Sequence, residues 1–184
     1  MSIPKPRKLL SFVAAAAALF VGLTPQARAD SDHRDQCRDI VGPFSSVTVP
    51  VPPCNSPVGL CTHGILGGPM GDASYDFTVY TLTPSLTNPA VIVATGKSVI
   101  ATKKGQMFTD DVSVLNFSGP APSDPVAFVT TATINSGTKH WKQTTGQFVA
   151  TGVLVQSTGL AVGNYTASLC KNPGEQDNKD GSDN

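Results

Sequence analysis

Three histidines, two adjacent aspartates and four cysteines are the residues of this chain whose types could carry chemistry. A Ser-His-Asp hydrolase would need His33, His63 or His140 beside an exposed nucleophile. No G-x-S-x-G elbow that would present such a serine occurs in the 184 residues. His33 falls in a polar stretch, His63 in a turn or first strand, and His140 beside Trp141, so each reads as a solvated surface histidine. Asp110 and Asp111, in "FTDDVSV", form the strongest acidic feature. Neighbours on a strand point to opposite faces, so these two carboxyls are not placed to share a proton as a catalytic dyad does. An inward-facing member would be a general base or an anchor for a polar ligand group; the favoured reading is a strand-edge carboxylate that blocks aggregation. No catalytic residue is assigned, no cofactor is expected, and catalysis is the less favoured reading.

The cysteines are Cys37, Cys54, Cys61 and Cys170, an even set that in an exported chain argues for two disulfides. Cys54 and Cys61 are too far apart for a CxxC knuckle, and the distance to Cys170 fits no zinc pattern, so no metal is expected. "DNKDGSDN" near the C-terminus is not a calcium loop, since Gln176 stands where its first Asp should be and no closing Glu follows.

Export is read from the N-terminus. Basic residues Lys5, Arg7 and Lys8 precede an apolar run from Leu9 to Leu23, and small residues Ala27 and Ala29 precede a cut, the pattern of a signal peptide cleaved after Ala29. The run is shorter than the roughly 20 residues a spanning helix needs, so no integral membrane segment is expected after cleavage. All 13 acidic residues lie beyond Ala29, whereas Lys5, Arg7, Lys8 and Arg28 leave with the signal, giving the mature chain a net charge of −4. Nucleic-acid binding depends on basic clusters that release counterions; the linear sequence contains none, so no nucleic-acid partner is expected. The expected location is secreted or periplasmic.

The elements that must position these groups are strands. Residues 30–60 are polar and then rich in proline, an extended lead-in, and residues 171–184 read as a disordered polar tail. Between them the apolar pattern has period two: Tyr75, Phe77 and Val79 alternate with Asp76, Thr78 and Tyr80, and Phe148, Ala150 and Leu154 share a face. The expected strands are 62–68, 74–82, 90–95, 98–103, 107–117, 125–134, 146–156 and 163–170, and no segment of the mature chain has a helical period. The fold class is all-β, a single antiparallel eight-stranded up-and-down barrel over residues 61–170, preferred to a sandwich because closure removes sheet edges. Four cysteines allow three pairings that spacing alone does not separate. Because Cys61 precedes the first expected strand and Cys170 ends the last, closure predicts a seam disulfide Cys61–Cys170, leaving Cys37–Cys54.

"SPVGLCTHGILGG" at 56–68, "GTKHWKQTTGQFVATGVL" at 137–154 and "GNYTASLC" at 163–170 together resemble small secreted bacterial proteins of the allene oxide cyclase barrel-like group, related in shape to dirigent proteins. Gly137, Thr138, Thr145 and Gly146 match the group's middle segment, whereas Lys139, His140, Trp141, Lys142 and Gln143 replace its small and aromatic residues. The resemblance spans roughly residues 56–170 and concerns turns and packing. It implies a barrel and, as an alternative function, a cofactor-free isomerase or cyclase acting on an unsaturated substrate. No segment matches the catalytic positions of the group's enzymes, so none is carried over.

Tyr75, Phe77, Phe128 and Phe148 fall on apolar strand faces. In an eight-stranded barrel such residues either fill the interior, the favoured reading, or line a site for one small ligand. The expected function is a non-catalytic secreted module that binds a small apolar molecule or an envelope partner through these four residues, with Trp141 at the entrance. For Trp141 itself, a simple hydrophobic plug is the favoured reading over a loop that contacts a glycan or anionic small molecule. Association into a homo-oligomer is open on the sequence.

Overall fold

The computed structural model describes residues 36–50 and 54–171. The expected signal peptide, its cut at Ala29, His33 and the tail beyond Lys171 lie outside the described residues.

Eight strands form a closed antiparallel barrel in which each pairs with its neighbours in sequence and the last pairs with the first. They are β1 (Gln36–Pro50), β2 (Leu60–Leu66), β3 (Ala73–Pro84), β4 (Val91–Thr102), β5 (Gly105–Phe117), β6 (Pro125–Gly137), β7 (Thr144–Val155) and β8 (Leu160–Lys171). Short 3-10 turns at Gly68–Met70 and Lys139–Trp141 are the only helical pieces among the described residues, and none is long and apolar enough to cross a membrane.

The all-β class and the eight-stranded closure agree with the sequence reading, but the strands are counted differently. The proline-rich lead-in supplies β1, whose Ile40, Phe44 and Ser46 turn inward and are buried. Conversely, the two expected strands 90–95 and 98–103 are one, β4. Gly96 between them is no turn: it is paired to Val79 on β3 and Asp111 on β5. A Cβ there would lie 2.1 Å from the Thr78 carbonyl oxygen, so only glycine lets β3 pass so close. Register shifts at Tyr80 on β3 and Asn135 on β6 insert bulges that bend these strands around the barrel.

The disulfides are Cys37–Cys170 and Cys54–Cys61, which corrects the expected pairs Cys61–Cys170 and Cys37–Cys54. The seam argument itself survives, because a closed barrel joins its first strand to its last. With β1 in place, the cysteine on the first strand is Cys37, the direct register partner of Cys170. Cys54–Cys61 instead ties the connection between β1 and β2 to the start of β2.

Strand direction gives the barrel two distinct ends. One collects the start of β1, the end of β8 and the turns after β2, β4 and β6; the other collects the turns after β1, β3, β5 and β7. The main buried cluster lies toward the first end and includes Ile40, Met70, Met107, Ile134, Tyr165 and Leu169. Tyr165 Oη donates a 2.7 Å hydrogen bond to the Gly67 carbonyl, fastening the turn after β2 across this closed end.

Candidate functional site

Toward the other end the interior is hollow. A cavity of about 570 Å³, within the ordinary range for small-molecule sites, stands on a floor of Leu66, Ile100, Ala132, Phe148 and Tyr165. Its walls carry Phe44, Tyr75, Phe77, Val79 and Phe128, and its rim carries Leu60, Leu82, Leu115, Phe117 and Leu154. The turn Gln156–Gly159 after β7 completes the rim.

The space exists because small residues stand where large ones would meet. On β7 and β8, Gly152 and Gly163 are register partners, and a Cβ on either would come within 3 Å of the Phe44 ring. Phe44 therefore packs directly against the glycine pair, reaches Phe128 at a centroid distance of 5.9 Å, and lines the cavity from there. Ala94, Ala150 and Ala161 keep neighbouring wall positions short.

One polar patch breaks the apolar lining. Asp111, on β5, is only 4% exposed, and Ser98 on β4 and Thr109 on β5 both donate hydrogen bonds to its carboxyl, the latter at 2.5 Å. Ser113 and Thr130, linked at 2.6 Å, continue the patch toward the rim. Burial holds the Asp111 carboxyl above the usual carboxylate range; the hydrogen bonds from Ser98 and Thr109 partly offset this, and the charge of Asp110 adds to it. Tyr75 is also pushed up, chiefly by burial, with the Ser46 hydroxyl opposing and the Asp111 charge reinforcing the rise. The ion pairs among the described residues, His63–Asp76 and Lys97–Asp110, both stand on the outer surface, and neither supplies a countercharge to Asp111.

Asp110 and Asp111 point to opposite faces, as alternation requires. Asp110 is exposed, accepts a 3.0 Å hydrogen bond from Asn135 and faces Lys97 at 3.6 Å; the Asn135 bond is the main cause of its lowered pKa. Neither aspartate guards an edge, because β5 is paired on both sides. His63, paired with Asp76 across β2 and β3, is half exposed on the outer wall.

Of the five expected ligand-binding residues, Tyr75, Phe77, Phe128 and Phe148 line the cavity. Trp141 does not. It lies in the turn after β6, at the closed end, where its Nε1 donates a 2.8 Å hydrogen bond to Thr102 Oγ1 and its ring packs on the main core. It is a plug rather than an entrance. Barrel closure also gathers lysines that are scattered in sequence: Lys103, Lys104, Lys139, Lys142 and Lys171 all come to this end, alongside Asp39 and Asp72. His140 there has a lowered pKa, chiefly through desolvation and then through Lys171 and Lys104. The sequence reading missed Phe44, Ser46 and the hydroxyls around Asp111. The alternation Ile40, Gly42, Phe44, Ser46 was the available signal for the first two.

The chain matches no family model, no curated protein and no solved structure.

Proposed function

We propose that this chain is an exported, non-catalytic barrel that holds one small apolar molecule. The observation that carries this reading is the half-hollow interior: a cavity of about 570 Å³ walled by Phe44, Tyr75, Phe77 and Phe128, in a barrel whose other half is filled. Eight strands leave room for either a packed core or one ligand, and here the glycine pair on β7 and β8 favours a ligand. Two disulfides are compatible with an oxidising compartment and an exported chain. Exposed valines on the outer wall, among them Val112, Val114, Val129 and Val162, support contact with an envelope partner or a second copy.

Native mass spectrometry of the protein purified from its own host is expected to show an added small-molecule mass that is lost on denaturation. Phe128→Asp, in a variant that still folds, should abolish it. Absence of such a mass, together with no uptake of apolar fluorescent probes, overturns the reading.

A second reading, the cofactor-free isomerase or cyclase implied by the resemblance to the allene oxide cyclase group, is supported by one feature, the buried carboxyl of Asp111 within the cavity. Confinement needs few ionisable groups. Turnover of an unsaturated substrate that is lost in Asp111→Asn but retained in Asp110→Asn would promote it.

A further inference from the structure

Accepting that the cavity holds an apolar molecule, we infer that the occupant is a single-headed amphiphile whose head donates a hydrogen bond, an alcohol or an amine and not a fatty acid, and that Asp111 receives it. Asp111 lies at the deep part of the cavity: Met107 and Thr109 on β5 are fully buried on its closed-end side, and Ser113, Leu115 and Phe117 continue from it to the rim. Phe117 lies six residue steps along β5 from it, about 20 Å of strand at the usual rise, or about 15 Å along the axis for an ordinary barrel tilt. That length is walled mainly by apolar side chains and suits a hydrocarbon tail lying between Asp111 and the rim.

The head chemistry follows from what already surrounds the carboxyl. Ser98 and Thr109 each donate to a different oxygen, so every hydrogen bond Asp111 makes is one it accepts, and each oxygen keeps one lone pair for a further donor. Ser98, Asp111 and Ser113 all line the cavity, which sets this carboxyl against the ligand volume as well as against the packed Thr109. A buried carboxyl without a countercharge is costly, and an ammonium head would supply one. A hydroxyl head would supply a donor. A ligand carboxylate would bring a second negative charge against Asp111, and among the described residues no lysine, arginine or histidine lines the cavity to offset it.

The test uses dodecyl probes that differ only in the head: 1-dodecanol, dodecylamine, dodecanoate and 1-methoxydodecane, the ether that keeps the oxygen but loses the donor. Each competes for the disulfide-intact protein against N-phenyl-1-naphthylamine, an apolar fluorophore. The alcohol and amine are expected to bind about tenfold tighter than the ether, the scale of one hydrogen bond to a charged or buried acceptor, and dodecanoate weakest of all. Asp111→Ala should erase the alcohol-to-ether ratio and bring dodecanoate level with the ether. Asp111→Asn, nearly isosteric, should keep an alcohol preference while losing that for the amine, and serves if the alanine variant does not fold. Equal binding of alcohol and ether to the wild type, or an unchanged ratio in Asp111→Ala, overturns the inference while leaving the cavity a ligand site. Failure of the fluorophore and all four probes to bind overturns the binding reading, and this one with it.

Discussion

At one end of the barrel Met70, Met107 and Tyr165 fill the interior beneath two short 3-10 turns; at the other, Leu60, Leu115 and Phe117 stand around open volume. The same eight strands run through both. The contrast shows how one small sheet divides labour: packing density concentrated at one end supplies stability, which lets the other end leave apolar surface uncovered. The disulfides follow the same division. Cys37–Cys170 lies at the closed end and spans 133 residues, whereas Cys54–Cys61 lies at the hollow end and spans 7.

The largest expected difference is between these staples. In the chain-entropy view the long loop contributes about 5 kcal/mol and the short one about 2 kcal/mol. Urea titrations of the double serine variants should therefore rank Cys37/Cys170 well below Cys54/Cys61. Equal midpoints would mean that the ends are not held differently. Next comes packing: Met107→Ala, at a position with no exposure, is expected to cost about 2 to 5 kcal/mol, while Leu115→Ala on the cavity rim costs about 1 kcal/mol or less. Chemical denaturation followed by Trp141 fluorescence checks both. Similar losses would mean that the hollow half is as tightly packed as the filled one.

A smaller effect sharpens the comparison at the boundary between the halves. The Asp111 pKa is raised by burial, so the folded state holds that proton more tightly than the unfolded chain does. Its contribution is therefore most favourable in acid, declines as pH rises from the ordinary carboxylate range through the raised folded value, and is flat above. Asp111→Asn removes this slope. The variant's denaturation midpoint should match the wild type most closely in acid and gain on it toward neutral pH. A pH-independent difference would place Asp111 in a wetter setting than its burial implies.

Much of this architecture was legible in the alternation of Tyr75, Phe77 and Val79 and in the opposed faces of Asp110 and Asp111, because period-two patterns report which side of a sheet a residue occupies. Strand β1 was hidden because Pro43 and Pro50 read as interruptions and its inward positions include Gly42 and Ser46, which carry little apolar signal. The cysteine pairing went astray for that reason alone. Trp141 stood between a plug and an entrance because a loop aromatic gives no sign of which end of a barrel it will serve; that depends on strand parity, and splitting β4 in two while omitting β1 obscured it. The hydroxyls around Asp111 were invisible singly, since Ser98 and Thr109 are 11 residues apart in sequence and meet only across the β4–β5 ladder.

Because Cys37 and Cys170 face each other on the first and last strands, the described polypeptide is a covalent ring. A protease that nicks the exposed turn between β5 and β6 would then release no fragment; the two pieces would migrate as one species until a reductant is added. The same ring makes the position of the termini arbitrary, so a gene reopened at that turn and rejoined across the seam should encode the same barrel.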